Sequence, residues 1–314
     1  MKVLITGIHG FVGSNLVKAL SEKHTVYGLD IKSNPIKGVV QIYNWSNLDN
    51  KTIPEIDVII HLAGKAHDTN NQISRDEYFS VNTGLTKRIF DYFLCTKARK
   101  FIFFSSVKAA ADKVADDFLT ETVIPSPKGP YGESKIAAEK YIQQLFDLET
   151  PGEKMVYILR PCMIHGPGNK GNLNLLYKVI KKGIPWPLGS FENRRSFLSV
   201  ENLCYIINNL ITNSIPSGIY HLSDDEAIST NELIKVMCKA LKQKPIIWHL
   251  PSKWMIRFAK LGGWLRLPLN RERLRKLTEN YVVSNKKIKT ALNIEKLPVS
   301  AMTGLMNTFQ SFRK

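Results

Sequence analysis

Short apolar runs alternate with stretches of helical spacing along the first half of the chain. Lys2–Thr6, Thr25–Leu29, Val39–Tyr43, Val58–Leu62, Phe101–Phe104 and Val156–Leu159 read as strands. The fourth, Val-Ile-Ile-His-Leu, is nearly all apolar, as a strand covered on both faces must be. Between them, Phe11, Val12, Leu16, Val17 and Leu20 recur at helical spacing, and similar patterns predict helices over 81–95 and 133–146. Alternation of this kind implies an α/β fold, a Rossmann doubly wound parallel sheet. Beyond residue 165 the pattern loosens. Helices are expected at 173–182, 229–242 and 252–265, an extended segment at 185–189, and a strand at Gly218–Leu222 that returns to the sheet. The expected division is a first domain over 1–165, rejoined by 196–222, and a second, smaller lobe of 166–195 with 223–314.

The chain has 314 residues, 44% of them apolar, enough for a sizeable core. No apolar run is long enough to span a membrane. The opening MKVLITGIHGFVG imitates a leader, but its early glycines favour a buried strand of the mature protein. Cys95, Cys162, Cys204 and Cys238 are scattered, which fits a reducing, cytoplasmic setting and neither a disulfide framework nor a zinc site.

Net charge is +17, unevenly spread: residues 251–290 carry eleven Lys or Arg against Glu272 and Glu279. Such a tract is either a solvated face or a meeting point for an anionic partner. No RNA-binding signature, zinc finger or repeat accompanies it, so nucleic acid is not the expected partner. Trp254, Phe258 and Trp264 are expected to pack the second lobe.

Gly7, Gly10 and Gly13 follow the first strand and open a helix. A phosphate-cradling turn needs small residues at these places: for the turn, for backbone approach, and for helix–strand packing. The helix N-terminus adds free N–H groups. His9, Phe11 and Val12 lie within the same loop. Asp30, at the end of the second strand, is placed to accept both adenosine ribose hydroxyls, favouring NAD over NADP. A plain turn acid would also stand there, and Lys32 softens the discrimination.

Tyr131 and Lys135 share one helix face at i, i+4. Alone, that spacing suits a solvated face as well as an active site. In company it changes meaning. TGIHGFVG, Asp30, HLAG (61–64), Asn82, FFSS (103–106), YGESK (131–135), LRP (159–161), HGPG (165–168) and RRSFLSVENL (194–203) follow in one order. In that order the chain resembles the extended short-chain dehydrogenase/reductases, and among them the UDP-glucose 4-epimerase-like enzymes.

The resemblance implies Ser106, Tyr131 and Lys135 as the catalytic group, with Tyr131 as the base at a sugar carbinol. Its pKa would be lowered by the Lys135 ammonium and the nicotinamide ring. Lys135 would also hold the nicotinamide ribose. Leu62, Ala63 and Gly64 would run beneath the cofactor, NAD. Asn82 would hold the active-site helix, although it could equally be a helix N-cap. Lys108, Met163, Asn172 and Arg195, with Ser106, are the expected contacts to a UDP-sugar, Arg195 at its diphosphate. RERLRK (271–276) could supply a second arginine. A homodimer through helices near 81–95 and 133–147 is also implied.

Two departures bear on activity. Ser106-Val107-Lys108 stands where 4,6-dehydratases carry Thr-Asp-Glu, so dehydration is not expected. Met163 replaces the asparagine that touches substrate in hexose epimerases. The expected reaction is 4-epimerisation of a UDP-hexose or UDP-N-acetylhexosamine, toward which Asp30 tilts through NAD, while Met163 and the residues after Ser106 tilt toward a reductase. The alternatives are 4-ketoreduction of a UDP-4-keto-6-deoxy sugar or, in another class, a non-catalytic dinucleotide-binding protein.

Overall fold

The computed structural model describes residues 1–66, 73–114, 116–150, 152–169, 171–264 and 271–313; the side chains of 259–264, 271–273 and 276 are not described. Seven parallel strands form the main sheet. They are β1 (Lys2–Thr6), β2 (Thr25–Leu29), β3 (Val39–Tyr43), β4 (Val58–His61), β5 (Lys100–Phe104), β6 (Met155–Pro161) and, after the pair below, β9 (Gly218–Leu222), in the order β3-β2-β1-β4-β5-β6-β9. The order reverses between β1 and β4, and ligands of doubly wound sheets bind at the carboxyl ends beside such a switch point. Every residue of β4 and β5 is buried, because helices cover both faces.

Two strands absent from the expectation, β7 (Met163–His165) and β8 (Phe197–Ser199), form a separate parallel pair. At three residues each they are too short for the period-two pattern to show. Helix 81–95 begins earlier than expected. Helix Arg75–Tyr78 runs into a π-helical turn, Phe79–Gly84, and then into helix Leu85–Leu94. The strand at 218–222 pairs with β6 in register from Tyr157↔Gly218 to Pro161↔Leu222.

Two apolar cores flank the sheet, one including Ile5, Leu16, Ile60 and Leu159, the other Leu4, Phe90, Phe101 and Ile158. A third, with Tyr177, Trp186, Phe197, Met237, Leu305 and Phe309, belongs to the later segments. Partly buried Met163 packs against this third core. Trp254 and Phe258 do not pack the lobe as expected: they are 60% and 53% exposed. Met255 is the residue their helix, Ser252–Trp264, turns into the third core, and a stripe centred on 254 and 258 points away from it. The Trp264 side chain lies outside the described residues, as do most of RERLRK and Lys170 of the 169–172 loop.

Candidate active site

The glycine loop leaves β1 with Gly7 at φ +68°, a left-handed conformation that favours glycine. A Cβ there would sit 2.9 Å from the backbone of Ala63. On Gly13 a Cβ would lie 2.6 Å from the Gly7 carbonyl oxygen, so helix and turn touch backbone to backbone. Helix Phe11–Leu20 starts at Gly10 with no side-chain cap. Its first-turn amides are thus left to a ligand, and the positive end of the helix faces the loop. Phe11 contributes otherwise: its ring lies under Gly166 and Gly168 of HGPG, and Val12, beside it, packs on the first core.

Asp30 is held from both sides. One carboxylate oxygen accepts from the His9 amide (3.1 Å), the other from the amides of Ile31 (2.7 Å) and Lys32 (3.2 Å). The His9 ring bridges from Asp30 Oδ2 (3.3 Å) to the Asn34 carbonyl (2.9 Å). An acid so oriented at the end of β2 fits a ribose diol. The uncapped helix start fits a pyrophosphate. The residues present therefore fit a dinucleotide.

HLAG is fixed by a polar chain that sequence reading missed. The Thr6 hydroxyl accepts from the amides of Leu62 (3.1 Å) and Ala63 (3.0 Å) and meets His61 Nδ1 at 2.7 Å. His61 Nε2 lies 3.0 Å from Thr86, whose hydroxyl donates to the Asn82 carbonyl (2.6 Å). Burial holds His61 well below the usual imidazole range, with Lys135 adding to the effect. Gly64 packs between side chains: a Cβ would be 2.9 Å from Asn82 Oδ1 and 3.2 Å from Lys135 Nζ.

Asn82 is no N-cap. The π-helical turn presents it, fully buried, to the Lys65 backbone (2.7 and 3.1 Å) and to the Ser134 hydroxyl (3.0 Å). Thr83 adds a bond to the Ser134 carbonyl (2.8 Å). The turn is thereby clamped to helix Pro130–Leu145, which carries Tyr131 and Lys135. A π-turn shifts the phase of the residues after it, and such turns recur at functional sites.

Ser106 leaves β5 as the N-cap of a one-turn helix, Val107–Ala110, accepting from the Lys108 amide (3.2 Å). Its hydroxyl acts on the Tyr131 phenol: burial pushes that phenol up, Ser106 lowers it, and Tyr78, edge-on at 6.1 Å, raises it. Lys135, expected to lower it, is not among the groups that shift it: in the polypeptide alone, desolvation of the phenolate dominates. Lys135 donates to the Phe104 carbonyl (2.8 Å) and lies over the Phe103 ring. Burial lowers its pKa to about 8, and Glu139, one turn on, raises it.

Glu139 was also missed. It is fully buried, accepts a bidentate pair of hydrogen bonds from the Arg160 guanidinium and accepts another from the Ser105 hydroxyl. Its spacing was legible: Tyr131, Lys135 and Glu139 repeat every four residues.

The expected substrate residues are partly gathered. Lys108 lies over the Tyr281 ring (4.5 Å) and reaches Asp112. Arg195 bridges Ile228 and Tyr281 by its backbone, and its guanidinium feels Glu279, Tyr281 and Cys162. Arg195 in turn acts on Lys108, so the two cations share one neighbourhood. Met163 opens β7, next in sequence to Cys162, and packs on the third core, whereas Asn172 stands exposed at the start of helix Asn172–Lys181. Tyr281, Glu279 and Asp112 had no motif to mark them.

The model of the NAD dependent epimerase/dehydratase family matches residues 3–222. The chain is 34% identical to the UDP-glucose 4-epimerase of Vibrio cholerae over 275 residues, 83% of this chain and 82% of that one. It is 26% identical to the N-acetyl-alpha-D-glucosaminyl-diphospho-ditrans,octacis-undecaprenol 4-epimerase of Escherichia coli O157:H7, over 91% and 84%. Its fold is similar to that of a UDP-glucose 4-epimerase of Thermotoga maritima, with a TM-score of 0.76 at 20% identity over 100% and 99% of the two chains.

Proposed function

Since the chain belongs to the NAD dependent epimerase/dehydratase family, we propose that it is a 4-epimerase of a UDP-hexose or UDP-N-acetylhexosamine. The observation that carries this reading is the cluster of Ser106, the buried Tyr131 phenol it acts on, and Lys135, which donates to the Phe104 carbonyl (2.8 Å). The cluster lies at the carboxyl end of β5, with Lys135 on the same helix face.

Gly7, Gly10, Gly13 and the helix start hold the cofactor's diphosphate, Asp30 its adenosine ribose, and Lys135 its nicotinamide ribose. NAD held there would supply reversible hydride transfer at C4. Tyr131 accepts the 4-hydroxyl proton as hydride leaves and gives it back when the keto oxygen is reduced. Ser106 holds the reacting oxygen beside Tyr131. Burial keeps the phenol protonated, so its proton is in place for the return step. Protonated Lys135 and the cationic ring together draw down its pKa for the forward step. Arg195 and Lys108 face the diphosphate and sugar. Residues 1–165 with 196–222 bind the dinucleotide, and 166–195 with 223–314 the substrate. We infer a homodimer through the helices near 81–95 and 133–147, which sedimentation velocity tests.

The experiment is interconversion of UDP-GlcNAc with UDP-GalNAc, and of UDP-glucose with UDP-galactose, without added cofactor. Turnover supports the reading. Consumption of stoichiometric NADH on a UDP-4-keto-6-deoxy sugar, with no epimerisation, replaces it by the reductase reading, which Met163 in place of asparagine favours. Turnover only of a polyprenyl diphosphate-linked sugar keeps the C4 chemistry and removes the UDP carrier.

A further inference from the structure

Helix Ser252–Trp264 and the strand-like segment before it present an apolar face that is exposed among the described residues. Trp186 bridges Ile247 in a short ladder, with the Trp186 amide bonded to the Ile246 carbonyl (2.8 Å) and the Trp248 amide to the Trp186 carbonyl (2.8 Å). Ile247 packs on the third core, and its neighbours Ile246 and Trp248 are 50% and 52% exposed. In the first two turns of the helix Trp254 and Phe258 lie with ring centroids 6.4 Å apart, tilted by 40°, and both are exposed. Met255 is buried, so the helix is seated on the lobe while its aromatic stripe points outward.

Charge decides what this face meets. Between Glu232 and Glu272 the sequence contains no acidic residue. It contains Lys235, Lys239, Lys242, Lys244, Lys253 and Arg257, and further cations beyond them, with three of the chain's tryptophans. On the helix, Lys253 and Arg257 are exposed and form the strip beside Trp254 and Phe258. A protein interface would deplete lysine and balance its signs. Tryptophan and phenylalanine flanked by unbalanced Lys and Arg is instead the composition of an element lying in the headgroup layer of a bilayer. Rings enter the acyl boundary while lysine and arginine stems reach back to phosphates.

We propose that this face, centred on Trp248, Trp254 and Phe258, docks the protein peripherally on an anionic phospholipid surface. No described helix is long and apolar enough to cross a membrane, and docking requires none. The proposal does not depend on which sugar is epimerised.

The test is co-sedimentation of the full chain with vesicles containing phosphatidylglycerol, against pure phosphatidylcholine, while tryptophan emission is followed. Binding to the anionic vesicles alone, weakening with salt, with a blue shift of emission, is expected. Trp254→Ser with Phe258→Ser should lower the partition about tenfold or more and abolish the shift, leaving the thermal midpoint and turnover of a soluble substrate unchanged. Lys253→Glu with Arg257→Glu should weaken binding most at low salt. A chain that stays in the supernatant overturns the proposal, and so does equal binding by the Trp254→Ser, Phe258→Ser variant. Loss of a dimer in that variant would show a protein–protein face instead.

Discussion

Arg160 grips Glu139 with Nε at 3.0 Å and Nη2 at 2.6 Å, and both side chains are buried to within 1%. The pair ties β6 to the helix of Tyr131 and Lys135, and through Ser105 to the end of β5. Replacing Glu139 by Gln leaves a buried guanidinium without its counter-charge. The expected loss is about 3–5 kcal/mol of stability, read as a fall in urea midpoint at unchanged slope.

Tyr131→Phe keeps the ring and removes the proton carrier. Turnover should fall roughly 10²–10⁴-fold, with cofactor content of the purified protein unchanged. Unchanged turnover would remove Tyr131 from the mechanism.

Asp30→Ala removes the proposed ribose acceptor and frees the His9 amide. NAD affinity should fall about tenfold or more, as for a lost hydrogen bond to a charged group. Affinity for NADP should fall less, since the carboxylate repels a 2′-phosphate. Parallel fluorescence titrations with the two dinucleotides give the ratio.

Gly13→Ala drives a methyl to within 2.6–2.8 Å of the Gly7 and Ile8 backbone. Backbone cannot swing aside as a side chain can, so about 1–3 kcal/mol of stability should be lost. Cofactor should be lost with it. Thermal melts with and without added NAD separate the two effects.

His221 is buried near Arg160, and burial first, then that charge, lowers its pKa to about 4. The unfolded chain takes up a proton near 6.5, before the folded one does. Stability from this group is complete above pH 6.5 and is lost as pH falls toward 4, by about 3 kcal/mol. His221→Gln should flatten that part of the profile. Urea midpoints at pH 7 and pH 4.5 check it.

The main strands were legible because two-sided burial writes itself as apolar runs: Val58–His61 and Phe101–Phe104 can be read directly. Gly7 and Gly13 were legible because a tight turn and a backbone contact exclude every larger side chain. Asn82 was legible only by its motif, since its environment is a π-turn that no periodicity announces. Trp254 and Phe258 misled, because aromatic residues at helical spacing look alike whether they face a core or a partner.

By itself the sequence determined the doubly wound sheet, the dinucleotide loop and the Tyr131–Lys135 spacing, because each depends on residues near one another in the chain. Tertiary structure decided the rest. It brought Tyr281 under Lys108 across more than half the chain. It set Arg160 against Glu139, and it raised rather than lowered the Tyr131 pKa. The reason is physical: desolvation and long-range pairing depend on what surrounds a group in space, and neither leaves a period in the sequence.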